Sequence, residues 1–357
     1  MSESKVVPEG GGDPFQLEYV FQYAAENVVS GSYVRAVSDM VSVAAGAFGG
    51  LDGLKIADVG CGFGNGIAKL ARFPAKKIVG IDRSSAMIEL ALAVLEGSPD
   101  TLDSWLRSKG AEVAAGKHYP ALRAHLLQRQ WQFKTGRFAS GSGQLELHTT
   151  GVFEYAATHP ESFDLVVSNH CMGWLKAQSQ DAGLTVREAV VHGLKAYAKL
   201  LRKGGLAVVM GPDALITYPE GTLEAQYSAV NGLACQPLHM SFSVLLQKYL
   251  LDGWGIKHPL PTWTGMIPFE EVDSWMRDAG FDCSVISSED ELVYTDPVDV
   301  YEVRAPMWMG RYDQLTPTMK MALAKKVADE IRARGLTDEE SKPLREQTWF
   351  LVLKKRS

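Results

Sequence analysis

Apolar positions along the chain follow two periods. Short continuous runs end at turn residues at 54–60 (LKIADVG) and 76–82 (KKIVGID), and between them NGIAKLARF carries apolar residues at helical spacing. Runs of this length fit strands buried on both faces, so the three pieces predict a β-α-β unit with parallel strands. SAMIELALAVLE (85–96) predicts a second helix, opened by Ser84 or Ser85 as its N-cap. Strand patterns return in QLELHTT (144–150), FDLVVSN (163–169) and LAVVMG (206–211). Before the last of these, REAVVHGLKAYAKLLRKGG (187–205) predicts an amphipathic helix stopped by its glycines. Five strands alternating with helices predict an α/β fold.

Further along, FEEVDSWMRDAGF (269–281) predicts a helix and CSVISSEDELVY (283–294) a strand. Thr316 and Pro317 cap a further helix whose row Met319, Leu323, Val327, Ile331 repeats every four residues up to Gly335, and TWFLVLKK (348–355) is a final strand. Two stretches break the pattern. Residues 97–143 mix Pro, Gly and Ser with a helical piece around YPALRAHLLQRQW, and residues 212–268 are irregular and rich in Tyr, Trp, His, Met and Pro. The expected organisation is therefore a tail with cap helices (1–50), a core (51–211) carrying the 97–143 insertion, a second insertion (212–268), and a C-terminal part of the sheet with a helical insertion (269–357).

Composition narrows the partners. At 357 residues, 46% hydrophobic and 22% charged, the chain suits one large domain with elaborations or two smaller ones, and its net charge of −6 gives no overall attraction to nucleic acid or an anionic membrane. Residues 97–143 differ, with seven Lys/Arg against three Asp/Glu, a local +4. A solvated face is the expectation there; steering of an acceptor carboxylate or phosphate by Arg123, Arg129, Lys134 or Arg137 is the alternative. Cys61, Cys171, Cys235 and Cys283 form no CxxC pair, which argues against a disulfide framework and a thiolate zinc site. The N-terminal MSESKVVPEGGGDPF lacks a basic start followed by an apolar stretch, so a cytoplasmic protein is expected. Residues 225–247 contain no Asp, Glu, Lys or Arg, but their Gln, Asn, His and Pro237 favour a buried or pocket-covering segment over a membrane span.

The candidate chemistry lies in IADVGCGFGNG (56–66), where four glycines occupy every second position after a strand. A dinucleotide loop needs GxGxxG, yet the third position is Asn65, Ile67 or Lys69 in the three registers. A phosphate loop needs GxxxxGK followed by Ser or Thr, and none follows this strand. What remains is Asp58 at the strand's end, then Gly60, Gly62 and Gly64, then Asp82 closing the next strand.

That constellation, DVGCGFG followed by GIDRSSAMIELA, resembles motif I and the next acidic position of the class I S-adenosylmethionine-dependent methyltransferases. ESFDLVVSNHCMGWL is similar to their fourth-strand motif, LLRKGGLAVVM to their fifth, and TWFLVLKK to their last strand. The resemblance implies a Rossmann-like seven-stranded sheet with its final strand antiparallel, helices on both faces, two insertions forming an acceptor lid, and S-adenosylmethionine across the carboxyl ends of the strands. It assigns Asp58, Gly60, Gly62, Gly64, Asp82, Arg83, Met87 and Asn169 to the cofactor. Asp82 suits the ribose hydroxyls, and an acid beside the loop suits a cofactor with a positive amino group and sulfonium. Many members place an acid after the third strand, but this one runs into HTTGVFEY, leaving backbone groups near Gly151 and Val152, with Met87 against the base, to hold adenine.

On the same resemblance His170 stands at the mouth of the site as base for a hydroxyl or amine acceptor. Tyr33, Tyr227, His239, Trp254, Trp263 and Trp308 are expected to line an apolar acceptor pocket. The expected activity is methyl transfer to a small organic acceptor at O, N or C, with a role in secondary or specialised metabolism. A prenyl-diphosphate-like alkene acceptor is the alternative, and an NAD-dependent oxidoreductase or a non-catalytic cofactor-binding scaffold are the rivals from other classes. Oligomeric state is not readable from the sequence.

Overall fold

The computed structural model describes residues 16–30, 32–136, 143–169, 171, 183–210, 271–292, 322, 326 and 344–356. In chain order these form α1 (Leu17–Ser30), α2 (Ser32–Phe48), β1 (Lys55–Val59), α3 (Asn65–Leu70), β2 (Lys77–Asp82), α4 (Ser85–Glu96), α5 (Pro99–Ser108), α6 (Ala111–Ala115) and α7 (Tyr119–Gly136). There follow β3 (Gln144–Thr149), α8 (Val152–Thr158), β4 (Phe163–Asn169), α9 (Val186–Leu200), β5 (Leu201–Met210), α10 (Val272–Asp278), β6 (Phe281–Leu292) and β7 (Leu344–Lys355).

All seven strands join one sheet in the order β3-β2-β1-β4-β5-β7-β6. Strands β1 to β5 are parallel, and β7 runs antiparallel to both of its neighbours. The expected α/β architecture is therefore present, final antiparallel strand included.

Successive residues of a strand face opposite sides, so each buried strand feeds two cores. Ile56, Ile78, Leu165, Val167, Val208 and Phe350 pack with residues of α1 to α7 on one face. Ala57, Val79, Val166, Ala207, Val209 and Leu351 pack with α8, α9 and α10 on the other.

The 97–143 stretch is largely helical. α5 opens with a capping box between Ser98 and Thr101 and carries Pro99 in its first turn. Leu102, Leu106, Ala111, Ala115, Leu122 and Leu126 are buried in the same layer as α1 and α4. Mixed composition hides this periodicity, since the three helices each bury only a narrow stripe.

Several boundaries move. α9 starts at a Thr185–Glu188 capping box and stops at Leu200, because Leu201 already pairs with Phe163 while Leu206 pairs with Leu165. The intervening RKGG is thus a bulge inside β5 and not the end of a helix. β7 begins at Leu344, ahead of its apolar run, because it pairs with β6 along that whole length. The 212–268 stretch and the 225–247 segment lie outside the described residues, as does the helix from Thr316 except for Ala322 and Lys326, both helical. Among the described residues no helix is long and apolar enough to cross a membrane.

Candidate active site

The loop between β1 and α3 turns on glycines. Gly60, Gly62 and Gly64 have φ of 71°, 51° and 88°. The Gly60 N–H donates to the Ile81 carbonyl (2.8 Å), and the Gly62 N–H donates to Asp82 Oδ2 (2.9 Å), so the loop is tied to the end of β2. A side chain at Gly62 would strain the backbone by roughly 1–2 kcal/mol. Gly66 is glycine for another reason: a Cβ there would stand 2.4 Å from Asp58 Oδ2, so the first turn of α3 rides directly on that carboxylate.

Asp58 is 1% exposed, and its Oδ2 has no hydrogen-bond partner among the described residues. Burial, and then the negative charge of Asp82, raise its pKa to about 7, against the opposing backbone hydrogen bond from Ile67. Asp82 accepts the Ser84 N–H on Oδ1 (2.8 Å) and the Gly62 N–H on Oδ2. Burial raises its pKa too, countered by those two bonds and by Arg83. Each oxygen keeps a second lone pair, so Asp82 retains capacity for two further donors. Ser84 caps α4 as expected, its Oγ accepting the Met87 N–H at 3.1 Å.

The remaining predicted cofactor residues lie at the same carboxyl edge of the sheet. Met87 is buried, with its sulfur 3.9 Å from where a Gly62 Cβ would stand. Gly151 caps α8 just after β3, where the Thr150 N–H donates to the Asp82 carbonyl (2.9 Å) and Val152 is buried. A Cβ on Gly151 would lie 3.5 Å from Arg83 Cδ, which brings those two together. Asn169 ends β4, next to β1, and its buried Oδ1 has no partner among the described residues. His170, Tyr227, His239, Trp254, Trp263 and Trp308 lie outside the described residues. Tyr33 has its backbone in the first turn of α2, and its side chain lies outside what is described.

Four features escaped the sequence reading. Gly66 was visible as the fourth glycine of the row. Cys171 Sγ lies 2.6 Å from where a Gly60 Cβ would stand, and a buried hydrogen bond joins Ser168 Oγ to Tyr197 OH (2.8 Å) beneath it. Burial and then the Asp82 charge push the Cys171 thiol up to about 12, so it stays protonated. No spacing signals a pair formed between β4 and α9. Finally, the basic 97–143 stretch is not uniformly solvated: Arg123 pairs with Asp103 at the surface, but Arg129 is 3% exposed and reaches the loop at Phe63 and Asn65.

The edge thus offers acceptors: the unpartnered Asp58 Oδ2 and Asn169 Oδ1, and the spare lone pairs of Asp82. That chemistry suits a ligand rich in donors and positive charge, and opposes a pyrophosphate. Sheet order and loop together define an S-adenosylmethionine-dependent methyltransferase. The chain belongs to the family described as a methyltransferase domain, whose model matches residues 35–284.

No curated protein matches the chain. Among solved structures it is similar to the YcgJ protein from Bacillus subtilis, at 13% identity over 90% of this chain and 99% of that one, with a TM-score of 0.44. A putative methyltransferase from Bacillus halodurans matches at 12% identity over 90% and 99% of the two chains, TM-score 0.41. An N-methyltransferase from Haemonchus contortus, in complex with phosphomonomethylethanolamine and S-adenosylhomocysteine, matches at 14% identity over 89% of this chain and 52% of that one, TM-score 0.40.

Proposed function

We propose that this enzyme transfers the methyl group of S-adenosylmethionine to a small organic acceptor, with Asp82 holding the ribose hydroxyls and Asp58 facing the cofactor's ammonium. The observation that carries the proposal is the buried Asp58 Oδ2 against Gly66, without a hydrogen-bond partner among the described residues: a carboxylate oxygen desolvated without its own donor is unfavourable unless a cationic ligand completes it. Asn169 Oδ1 supplies a second acceptor at the same edge. Met87, with the backbone at Gly151 and Val152, forms the adenine side, and Arg83 closes it beside Gly151.

When bound, the cofactor supplies a methyl carbon made electrophilic by its sulfonium. The chain's own part is to hold acceptor, methyl carbon and sulfur in line and to keep water out. His170 would take the proton that the acceptor loses as it is methylated. On the same proposal we assign Tyr33, Tyr227, His239, Trp254, Trp263 and Trp308 to the acceptor pocket. The net charge of −6 and the fourth-strand sequence SNHC in place of an amino-methylating [DN]PP[YFW] motif favour a small molecule over nucleic acid.

The experiment is incubation with methyl-labelled S-adenosylmethionine and a metabolite extract, with label expected in the small-molecule fraction. Label confined to nucleic acid or protein removes the proposed acceptor class. With the acceptor in hand, His170→Ala is expected to lower kcat by about 10²–10⁴-fold. A kcat unchanged across pH removes His170 as base.

A further inference from the structure

Arg129 sits on α7, far along the chain from the glycine loop, yet its guanidinium is fixed to that loop. Nη1 donates to the Phe63 carbonyl (3.3 Å), Nη2 donates to Asn65 Oδ1, and the guanidinium centre lies 4.5 Å from the Phe63 ring centroid. The Phe63 ring also makes a T-shaped contact with Tyr23 of α1, ring centroids 6.1 Å apart. Nη2 also contacts His125 Nε2. A guanidinium has only donors, so His125 Nε2 must accept there, its proton residing on Nδ1. Burial, then the charges of Arg129 and Lys69, push the His125 pKa down to about 3 and keep the ring neutral.

No carboxylate pairs with Arg129 among the described residues, and burial alone draws its pKa down to about 9, which leaves it charged at neutral pH. A buried, uncompensated cation is an expensive way to fill space, and an apolar side chain of similar volume would avoid that penalty. What the arginine adds is direction. Its planar fork grips residues on both sides of Gly64, the αL residue that caps α3 without any side-chain hydrogen bond of its own.

We propose that Arg129 is a positioning residue for the cofactor: it clamps the 63–65 end of the glycine loop from α7 and sets the backbone that receives the amino-acid end of S-adenosylmethionine. The inference rests on the loop being the cofactor site. The clamped end is the Asp58 side, since Gly66 abuts Asp58 Oδ2, whereas Asp82 holds the other end of the loop through Gly62. Loss of the clamp should therefore be felt by the amino-acid moiety and not by the nucleoside.

Calorimetric titration of Arg129→Met, Arg129→Lys, Asn65→Ala and Asp82→Ala with S-adenosylhomocysteine and with 5′-methylthioadenosine, alongside thermal unfolding of the free proteins, tests this. Arg129→Met is expected to weaken S-adenosylhomocysteine by about tenfold or more, while 5′-methylthioadenosine changes by less than about threefold. Arg129→Lys should recover part of the loss, and Asn65→Ala should weaken in the same direction by a smaller factor. If Arg129→Met does not fold, the lysine variant and Asn65→Ala decide. S-adenosylhomocysteine binding within about twofold of wild type in the folded variants, or equal weakening of both ligands, overturns the clamp. Asp82→Ala separates the premise: unchanged binding there means the loop is not the cofactor site, whereas lost binding there with unaffected Arg129 and Asn65 variants removes only the role of Arg129.

Discussion

Asp58 links charge, stability and ligand at a single residue. Its folded pKa of about 7 lies above its ordinary 3.8, so its contribution to folding is complete below about pH 4 and is lost as pH rises through 7. Asp58→Asn is accordingly expected to melt higher than wild type near pH 8, with the difference closing towards pH 5, and calorimetric melts at the two pH values read it. A cationic ligand favours the ionised form, so wild-type affinity for S-adenosylhomocysteine should rise between about pH 6 and 8 with proton release on binding, and Asp58→Asn should flatten that rise. Titrations in two buffers of different ionisation enthalpy would reveal the proton. Gly66→Ala forces a Cβ to within 2.4 Å of Asp58 Oδ2, an overpacking expected to cost about 1–3 kcal/mol in chemical denaturation. Asp58 and Asp82 were legible because each is an acid ending an apolar run. Arg129 was not: on paper it is one of seven basic residues in a mixed stretch, and its burial is created by Phe63 and His125, which sequence spacing does not bring together.

Elements are joined by bonds of unequal worth. On one face of the sheet, Arg187 of α9 reaches Asp278 (2.7 Å) and Ser274 Oγ (2.8 Å) of α10 and lies over the Trp275 ring. Both charged side chains are about half exposed, so Arg187→Ala is expected to cost at most about 1 kcal/mol, an effect that salt diminishes in denaturant titrations. The buried Ser168–Tyr197 bond between β4 and α9 behaves differently. Tyr197→Phe leaves a buried hydroxyl and is expected to cost about 1–3 kcal/mol, insensitive to salt. The Ser84 cap of α4 could be read from sequence because capping is local. The end of α9 could not, since whether Leu201 extends a helix or enters a strand depends on Phe163, a residue of another element.

Taken whole, the molecule is a sheet whose carboxyl edge gathers loops from four strands. β1, β2, β4 and the 206–210 end of β5 were legible as largely apolar runs, which two-sided burial explains, whereas the partly exposed edge strand β3 was legible by the alternation in QLELHT. The place of β7 between β5 and β6 is a long-range pairing with no local pattern, and only the family resemblance suggested its direction. Among the described residues β6 pairs with β7, which joins the sheet through β5, and that pairing (Met210 with Phe350) is more distant in sequence than the pairing of β1 with β4 (Ile56 with Leu165). Pulse-labelled hydrogen exchange during refolding should find β6 amides protected later than those of β1 and β4, and simultaneous protection would contradict that order. A nascent chain leaving the ribosome N-terminus first would accordingly pass through a stage in which β5, with Ala207, Val208 and Val209 in place, presents an open apolar edge. Chaperone demand during translation should peak in that interval and fall once residues 344–355 emerge and seal the edge.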